Sequence, residues 1–396
     1  MNPKDKLLVF SGNPTQYHSP LFREIEKQNQ VCLEVLFGDE IGGKSFYSEE
    51  FASEIKWDVP VLEGYKFRFF KNLSSSKRKG FFSRNNPSIV PYVLKSDAKF
   101  VLIHGYDTLT SWYVYFASLI SFKKIIWRGE AVEPVSTKTF ISKLKILIKS
   151  AVLPVYFWGC YKVLYSCKLN KKYLENYVRN KNKLISFPCS VDNKFFQENR
   201  IVDPKNINTL KKSLNIPLEN TIITTCSRLT KRKRTMKIIE TISEMDTKKI
   251  TMLIIGDGPE RINLETAAKK FGVSCVCVGF VGQHMVAKLL SISDIFILIS
   301  EYDASPKALN EAMNFPLAMI SSEGVGTCID LIHENKNGFI LKNHNLEKLL
   351  DCLNYLVNNK DRLNMMGAFN EKIIADYSYD KGINNIFEVI NDYEKN

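Results

Sequence analysis

Two carboxylates, Asp303 and Glu311, stand in the segment "SEYDASPKALNEAMNF" with seven residues between them. Asp303 follows the apolar run "SDIFILIS", and Pro306 suits the first turn of a following helix. The free amides of a helix start attract a phosphate or a sugar hydroxyl, and Ser305 and Lys307 stand at the same point. Glu311 lies about one and a half turns further along, where it can reach vicinal hydroxyls such as those of a ribose. The alternative is an N-cap aspartate and a surface glutamate without a ligand.

A cluster of cations stands in "CSRLTKRKRT", between an apolar run and the helical pattern "MKIIETISEM". Arg228 and Lys233 therefore follow a strand, where cations can clamp a diphosphate and neutralise a phosphate leaving group. Basic loops are common, so the cluster alone is weak evidence. The turn "GDGP" follows a second strand. A third strand precedes three residues whose backbone groups can read the edge of a nucleobase, namely Gly279, Phe280 and Val281.

Apolar runs alternate with helical patterns along the chain, which indicates parallel sheets covered by helices on both faces. In such sheets, ligands bind beyond the carboxyl ends of the strands. In the first half of the chain this rule selects three segments, namely Gly12–His18, His104–Asp107 and Arg128–Glu130. A lone histidine is more often structural or merely exposed. The shared position of His18 and His104 after strands makes them candidates for lining a binding cleft.

The 396-residue chain is too long for one ordinary core, so two domains are expected. The segment 190–210 loses the apolar rhythm and is predicted to be a linker before the alternation restarts. We therefore predict an acceptor-binding domain over 1–199 and a donor-binding domain over 200–379. A C-terminal helix over about 380–396 is expected to pack back on the first domain.

Hydrophobic residues make up 45% of the sequence and charged residues 24%, which is typical of a soluble globular protein. No signal peptide is visible. The nine cysteines include no C-x-x-C pair, so reduced thiols in the cytoplasm are expected. Alternation places Cys275 and Cys277 on one face of a strand, as small buried side chains and not as metal ligands.

Basic charge is concentrated in the first half of the chain. Residues 1–200 hold 31 Lys and Arg against 18 Asp and Glu, whereas the remainder holds 24 of each. Such an excess favours an anionic partner, either nucleic acid or the anionic inner surface of a membrane. A merely solvated basic face is the alternative.

One segment of the first half combines basic residues with apolar residues. Between 138 and 165, four lysines interleave with large aliphatic residues, as in a basic amphipathic helix: Lys138, Lys143, Lys145 and Lys149. Pro154 is expected to break or kink it. The uncharged window 150–161 is shorter than the ~20 residues that span a bilayer, so we expect the helix to lie in the membrane interface. A core helix with surface lysines is the competing interpretation.

Five motifs, in this order and spacing, resemble the donor domain of glycosyltransferase family 4: "CSRLTKRK", "IIGDGP", "VGFV", "SEYDASPKALNEAM" and "ENKNGFIL". The resemblance covers about 170 residues, from 221 to 390. It implies the GT-B fold, in which two Rossmann-like, doubly wound parallel-sheet domains face a central cleft. It also implies transfer from a nucleotide-diphosphate sugar with retention of configuration and without a metal or other cofactor.

The resemblance also implies roles for single residues. Asp303 and Glu311 match the family's two acidic positions, which contact the donor sugar and the ribose hydroxyls. Arg228 and Lys233 match its diphosphate-binding pair. In the first half "PCSVDNKFF" resembles the segment leading into the donor domain, and His104 matches a strand-end histidine. Glu130 departs from the pattern, because many members carry a histidine there.

We therefore expect a retaining glycosyltransferase, of hexosyl or N-acetylhexosaminyl type, that uses a UDP- or GDP-sugar. Its acceptor is a saccharide or lipid-linked saccharide, and its setting is bacterial surface polysaccharide assembly (capsule or lipopolysaccharide). The protein is expected to be cytoplasmic and peripheral on the inner face of the cytoplasmic membrane. Two alternatives remain: a UDP-sugar epimerase of GT-B fold, and a non-enzymatic nucleic-acid-binding protein using 121–190. No nucleic-acid-binding motif is present, so nucleic acid is not the expected partner.

Overall fold

A computed structural model describes residues 4–43, 45–48, 53–55, 57–75, 80–133, 140–342, 345 and 347–395. For 46–48, 53–55 and 141–142 it describes the backbone alone. The chain divides into two compact units. Unit one comprises Met1–Phe46, Ile55–Pro188 and Tyr379–Asn396, and unit two comprises Tyr47–Glu54 and Cys189–Ser378.

Fifteen strands are present in the described residues: β1 (Lys6–Ser11), β2 (Cys32–Phe37), β3 (Phe46–Ser48), β4 (Ser53–Ile55), β5 (Phe67–Phe69), β6 (Phe100–His104), β7 (Lys124–Gly129), β8 (Lys162–Tyr165), β9 (Leu184–Ser186), β10 (Thr221–Cys226), β11 (Ile250–Ile255), β12 (Cys275–Gly279), β13 (Ile295–Leu298), β14 (Ala318–Ser322) and β15 (Gly338–Leu341). Unit one contains a seven-stranded sheet in the order β5-β2-β1-β6-β7-β8-β9, and unit two a six-stranded sheet in the order β12-β11-β10-β13-β14-β15. Neighbouring strands in both sheets run parallel. In both, the chain winds outward from a central strand in both directions, as in Rossmann folds.

The described α-helices also number fifteen: α1 (Ser19–Gln28), α2 (Ile89–Lys95), α3 (Leu109–Ile120), α4 (Phe140–Gly159), α5 (Lys168–Glu175), α6 (Asn193–Glu198), α7 (Pro204–Ser213), α8 (Thr235–Ser243), α9 (Arg261–Phe271), α10 (Gln283–Ser291), α11 (Lys307–Ala312), α12 (Cys328–Leu331), α13 (Lys348–Asn358), α14 (Lys360–Ile374) and α15 (Tyr379–Lys395). The predicted linker over 190–210 is wrong in one respect, because this segment contains α6 and the start of α7. Asp192 and Asp203 cap these two helices, and that local signal outweighs the missing apolar rhythm.

Each sheet has a core on both of its faces because side chains alternate along a strand. In β1, Leu8 and Phe10 join the cluster that includes residues of α2, α3 and α4. Leu7 and Val9 join the opposite cluster, which includes residues of α1 and α15. The C-terminal helix α15 therefore belongs to the core of unit one. In unit two, α8, α9 and α13 supply residues to a core beneath the sheet.

Helix α4 has two different halves. Leu153, Tyr156 and Phe157 are buried in the core of unit one, whereas the described side chains from 143 to 148 are all exposed. Pro154 lies inside the helix and does not end it, so a break of the helix at this position is ruled out. A proline removes only one backbone hydrogen bond, and the buried aromatic residues that follow favour continuation. Among the described helices, none combines the length and the apolar composition that a membrane span requires.

Candidate functional site

The sheet of unit two has its topological switch point between β10 and β13, where the chain reverses its winding direction. Ligands of doubly wound sheets bind at this point, beyond the carboxyl ends of the strands. Arg228 and Lys233 follow β10, and Asp303 follows β13. The structure therefore gathers the predicted charged residues at the position where the fold places a ligand.

Lys233 and Asp303 form an ion pair between Lys233 Nζ and Asp303 Oδ2. Both are largely shielded, with 9% of the lysine side chain and 18% of the aspartate side chain exposed. The backbone of Asp303 is held on both sides by a glycine loop: its amide donates to Gly324 O at 2.8 Å, and the Gly326 amide donates to Asp303 O at 2.7 Å. Partial desolvation strengthens the attraction between the two charges, because the effective dielectric constant is lower than in water.

Glu311 lies on α11 and is 3% exposed. Burial raises the pKa of the Cys226 thiol at the end of β10; the charge of Glu311 raises it further, whereas Lys233 lowers it. Cys226 therefore lies within electrostatic range of both predicted ligand-binding residues. The alternative of a surface glutamate is wrong, because Glu311 is buried on α11 near the end of β10.

Arg228 lies on a loop that is locked against the "GDGP" turn. Ser227 N donates to Ile255 O at 3.0 Å and Leu229 N donates to Asp257 O at 2.9 Å. A Cβ atom on Gly256 would come within 2.0 Å of Ser227 O, so only glycine allows this close approach. Burial lowers the pKa of Arg228, and the charge of Arg232 lowers it further. Both effects favour an anion beside this guanidinium group.

The start of α11 has a compact set of polar contacts. Pro306 is its N-cap residue, and Lys307 Nζ donates to Ser305 Oγ at 3.3 Å. Lys307 Nζ also lies 3.0 Å from Sγ of Cys189. The predicted donor-binding residues Ser305, Pro306 and Lys307 thus all lie at the start of α11, and the lysine is turned toward Cys189.

The predicted base-reading segment begins at Gly279, the last residue of β12, which has a positive φ of 76°. Its carbonyl accepts a hydrogen bond from Gly256 N at 2.9 Å, which ties this segment to the "GDGP" turn. Phe280 and Val281 follow and are half-buried. Cys275 and Cys277, earlier on β12, do share a face as predicted, with their sulfur atoms 3.8 Å apart.

A second group of predicted residues lies at the strand ends of unit one. Gly12 follows β1, and His104 ends β6. The rings of His18 and His104 have centroids 4.7 Å apart, and His18 Nδ1 lies 3.5 Å from Ser11 Oγ. The two histidines therefore form one cluster beside Gly12, as expected from their position after strands.

Arg128 and Glu130 form an ion pair at the end of β7, with 3.2 Å between Arg128 Nη2 and Glu130 Oε1. Arg128 is buried, and its guanidinium carbon lies 4.3 Å from the centre of the Phe187 ring. Glu130 keeps 28% of its side chain exposed. The arginine is thus a fixed partner, and the carboxylate is the member of the pair that can contact a ligand.

The lysines of the basic segment do not share one environment. Lys143 and Lys145 are exposed on α4. Lys149 instead is half-buried: it donates to the Tyr173 hydroxyl at 3.2 Å and lies over the Tyr173 ring. Helix α4 turns Lys149 toward α5. Lys138 lies outside the described residues.

Sequence reasoning missed two features of the site in unit two. One is Cys226 at the end of β10: burial raises the pKa of its thiol, the charge of Glu311 raises it further and that of Lys233 lowers it. The other is the loop with Gly324 and Gly326, where added Cβ atoms would come within 2.1 Å of Ser300 O and 2.0 Å of Ala304 O. The paired glycines in "EGVGT" were the available signal. Among the described residues, no three His, Cys, Asp or Glu side chains are grouped as a metal site would require.

Comparisons with known proteins bear on the second half of the chain most directly. Residues 206–373 match the family described as glycosyl transferases group 1. A Haemophilus influenzae protein named an uncharacterized glycosyltransferase is 27% identical over 191 residues, 47% of this chain and 54% of the relative. A Bacillus anthracis protein named N-acetyl-alpha-D-glucosaminyl L-malate synthase is 27% identical over 37% of this chain and 38% of the relative. The matches thus span about half, or less, of these curated relatives.

Solved structures resemble the chain over its whole length. A glycosyltransferase from Rickettsia africae has a TM-score of 0.77 at 16% identity, covering 100% of both chains. The Anabaena protein HepE, solved with UDP and glucose, has a TM-score of 0.73 at 12% identity, covering 98% of this chain and 100% of its own. The lipopolysaccharide outer core galactosyltransferase WaaB has a TM-score of 0.68 at 15% identity, covering 98% and 99%. At such identities the likeness is one of fold, and it confirms the predicted GT-B class.

Proposed function

We propose that this protein is a retaining glycosyltransferase that transfers a sugar from a UDP- or GDP-sugar to a saccharide or lipid-linked saccharide. The observation that carries the proposal is the shielded Lys233–Asp303 pair beside buried Glu311 at the switch point of unit two. The family match over 206–373 and the UDP complex of a structural neighbour support it.

In this proposal unit two holds the donor. Arg228 and Lys233 bind the diphosphate and stabilise the negative charge that grows on it as the glycosidic bond breaks. Their two positive charges stabilise the leaving diphosphate, as a metal ion does in other reactions with a phosphate leaving group, so no cofactor is required. Asp303 contacts the sugar, Glu311 accepts hydrogen bonds from the ribose hydroxyls, and the 279–281 backbone reads the base.

Unit one holds the acceptor in this proposal. Glu130 orients the acceptor hydroxyl or accepts its proton, while buried Arg128 fixes the position of the carboxylate. A setting in bacterial surface polysaccharide assembly (capsule or lipopolysaccharide) is supported by the fold likeness to a lipopolysaccharide galactosyltransferase.

The outer half of α4 supports placement at the inner face of the cytoplasmic membrane. The half over 143–148 exposes large apolar side chains beside exposed lysines, with Leu147 at 65%, and Trp158 at the other end of the helix is 81% exposed. Phe122, on the turn after α3, is 91% exposed. Apolar surface flanked by cations fits an interface with anionic lipids and the lipid-linked acceptor that the membrane carries.

A direct test is to incubate the protein with radiolabelled UDP- and GDP-sugars and a membrane fraction from a bacterium that makes surface polysaccharide. We expect label to enter lipid-extractable or polymeric saccharide, and proton NMR of the product to show the donor's anomeric configuration. Accumulation of an isomerised free nucleotide sugar would identify an epimerase instead. Inverted configuration would refute the retaining mechanism.

Glu311→Ala is expected to weaken nucleotide binding by ~10- to 100-fold, because hydrogen bonds to a charged group contribute ~1.5–3 kcal/mol each. Isothermal titration calorimetry with UDP and GDP measures this. The control is Glu219→Ala, which removes an exposed carboxylate from unit two. Unchanged affinity in Glu311→Ala would remove this residue from the donor site.

A double variant, Lys143→Gln with Lys145→Gln, is expected to bind anionic vesicles ~30-fold more weakly. Each lysine near an anionic surface contributes about 1 kcal/mol. Flotation with phosphatidylglycerol vesicles measures the effect. The matched control, Lys205→Gln with Lys212→Gln, makes the same charge change at exposed positions of unit two and should float like the parent. If the α4 variant floats as well as the control variant and the parent, the interfacial role of α4 is refuted.

A further inference from the structure

Arg84 lies at the carboxyl end of the sheet in unit one, against the glycines that follow β1 and β2. A Cβ atom added to Gly12 would come within 2.9 Å of Arg84 Cζ, and one added to Gly38 would come within 3.4 Å of Arg84 Cδ. The side chain therefore runs across the ends of two neighbouring strands. A side chain at position 12 would have to displace the guanidinium group, so the glycine leaves room for it.

This position adjoins the topological switch point of unit one. The sheet order reverses its winding direction between β1 and β6, where ligands of doubly wound sheets bind. Arg84 Nη2 donates to Oδ1 of Asn13, two residues after the end of β1, at 2.8 Å. Ser11 Oγ lies 3.5 Å from Asn13 O and 3.5 Å from His18 Nδ1. The guanidinium group thus belongs to the same group of contacts as the histidine cluster.

The charge of Arg84 is not neutralised within the protein. Among the described residues, no carboxylate pairs with Arg84, and its one hydrogen-bond acceptor is the neutral amide of Asn13. Arg128, by contrast, is paired with Glu130. In the described part of the chain, Arg84 Nε is buried without a hydrogen-bond partner, whereas Nη1 is not buried. A partly buried cation without a counter-ion destabilises the folded state, and a bound anion removes that cost.

The loop that carries Arg84 is anchored by a neighbouring residue. Asn86 is 0% exposed, and its Nδ2 donates to Gly38 O at 2.9 Å and to Phe70 O at 2.8 Å. Its Oδ1 accepts a hydrogen bond from Thr110 Oγ1 at 2.7 Å. These bonds fix the loop without the guanidinium group. The fold therefore does not account for a cation at this position.

We propose that Arg84, held by Asn13, forms a subsite for an anionic group of the acceptor, a phosphate or a carboxylate. The inference rests on the proposed function, which assigns the acceptor to unit one. Nη1 and the second N–H of Nη2 can donate two parallel hydrogen bonds, a geometry that matches either oxyanion.

The position of the subsite also bears on the shape of the acceptor. Glu130 follows β7, which is two strands away from β1 in the sheet, a separation of ~10 Å. The anionic group bound by Arg84 therefore belongs to a part of the acceptor other than the reacting hydroxyl. The natural acceptor is thus an anionic saccharide and not a neutral one.

The experiment is a calorimetric titration of the whole protein, saturated with UDP or GDP, with three probes: glucose 6-phosphate, glucuronate and glucose. The nucleotide occupies the diphosphate-binding residues of unit two, so the phosphate probe reports on unit one. Saturable binding of at least one anionic probe is expected, ~10-fold or more tighter than that of glucose. The tighter anionic probe identifies the group as phosphate or carboxylate. Arg84→Gln should weaken its binding by ~10-fold or more, as for charge-assisted hydrogen bonds, with nucleotide affinity unchanged.

Three further variants make the test specific. Arg84→Lys keeps the charge but loses the planar fork, so it should restore only part of the affinity for the anionic probe. Gly12→Ala keeps Arg84 but places a Cβ atom 2.9 Å from its Cζ, and it should also weaken binding. Arg179→Gln makes the same charge change at an exposed position of unit one and should bind the probes like the parent.

Thermal unfolding separates binding from a structural role. The Tm of Arg84→Gln without ligand should equal that of the parent, because Asn86 anchors the loop. A lower Tm with unchanged probe affinity would assign Arg84 to the fold and would overturn the proposal. So would equal binding of the anionic probes by Arg84→Gln and the parent, even if the nucleotide binds. If the parent binds neither UDP nor GDP, the proposed function fails, whereas a loss of probe binding in Arg84→Gln would still support the anion subsite.

Discussion

Replacing Glu130 by glutamine is expected to lower the rate of sugar transfer by ~100-fold or more, within the range of general acid–base contributions. Glutamine keeps the size and hydrogen-bonding reach of glutamate but can neither accept a proton nor carry a charge. Donor affinity should stay nearly unchanged, because the residues proposed to bind the diphosphate and the ribose all lie in unit two. Transfer rate and UDP affinity, measured on the same preparation, test both expectations.

The geometry of the Arg128–Glu130 ion pair makes this experiment specific. Arg128 is buried against Phe187, and the glutamine amide oxygen can still accept a hydrogen bond from Arg128 Nη2, so the substitution removes the charge of the exposed member while keeping the contact. A purely structural Arg128–Glu130 pair predicts the opposite pattern: a lower Tm with a near-normal transfer rate. The matched control is Glu133→Gln, which changes an exposed carboxylate three residues further along. Near-normal transfer by a stable Glu130→Gln protein would show that this carboxylate takes no part in the reaction.

Lys233→Ala is expected to reduce kcat by ~100- to 1000-fold, the range observed when one group that stabilises developing charge is removed. The donor KM should rise by a smaller factor, because the charge on the leaving diphosphate is larger in the transition state than in the bound substrate. Arg228→Ala should show the same pattern. Steady-state kinetics with varied donor concentration separates the two parameters.

The ion pair with Asp303 adds a consequence for stability. Removing Lys233 leaves a largely shielded carboxylate without its cation, so the Tm of Lys233→Ala should fall. Kinetics must therefore be measured well below that Tm. Lys249→Ala removes an exposed lysine of the same unit and should change neither kcat nor the donor KM. A rise in KM with an unchanged kcat would instead mean that Lys233 binds ground state and transition state equally.

The sequence alone predicted which residues lie at strand ends. Apolar runs that alternate with helical patterns predict parallel strands, and parallel strands bring their carboxyl ends to one edge. The positions of Arg228, Lys233 and Asp303 directly after such runs therefore assign all three to one edge of a sheet. The two doubly wound sheets and the common face of Cys275 and Cys277 follow from the same periodicity.

Only the tertiary structure decided which side chains touch. The Lys233–Asp303 ion pair joins residues 70 positions apart, and the Gly324–Gly326 loop holds the aspartate from a third strand end. The apolar periodicity of a sequence shows which side chains share one face of a strand, but it does not show the path of a loop. Neither contact could therefore be predicted from the spacing of residues in the sequence. The same limit applies to Lys149, because a helical pattern shows which residues share a face but not which neighbour that face meets. Packing of α4 against the core decided that Lys149 meets Tyr173, whereas Lys143 and Lys145 remain on the exposed half.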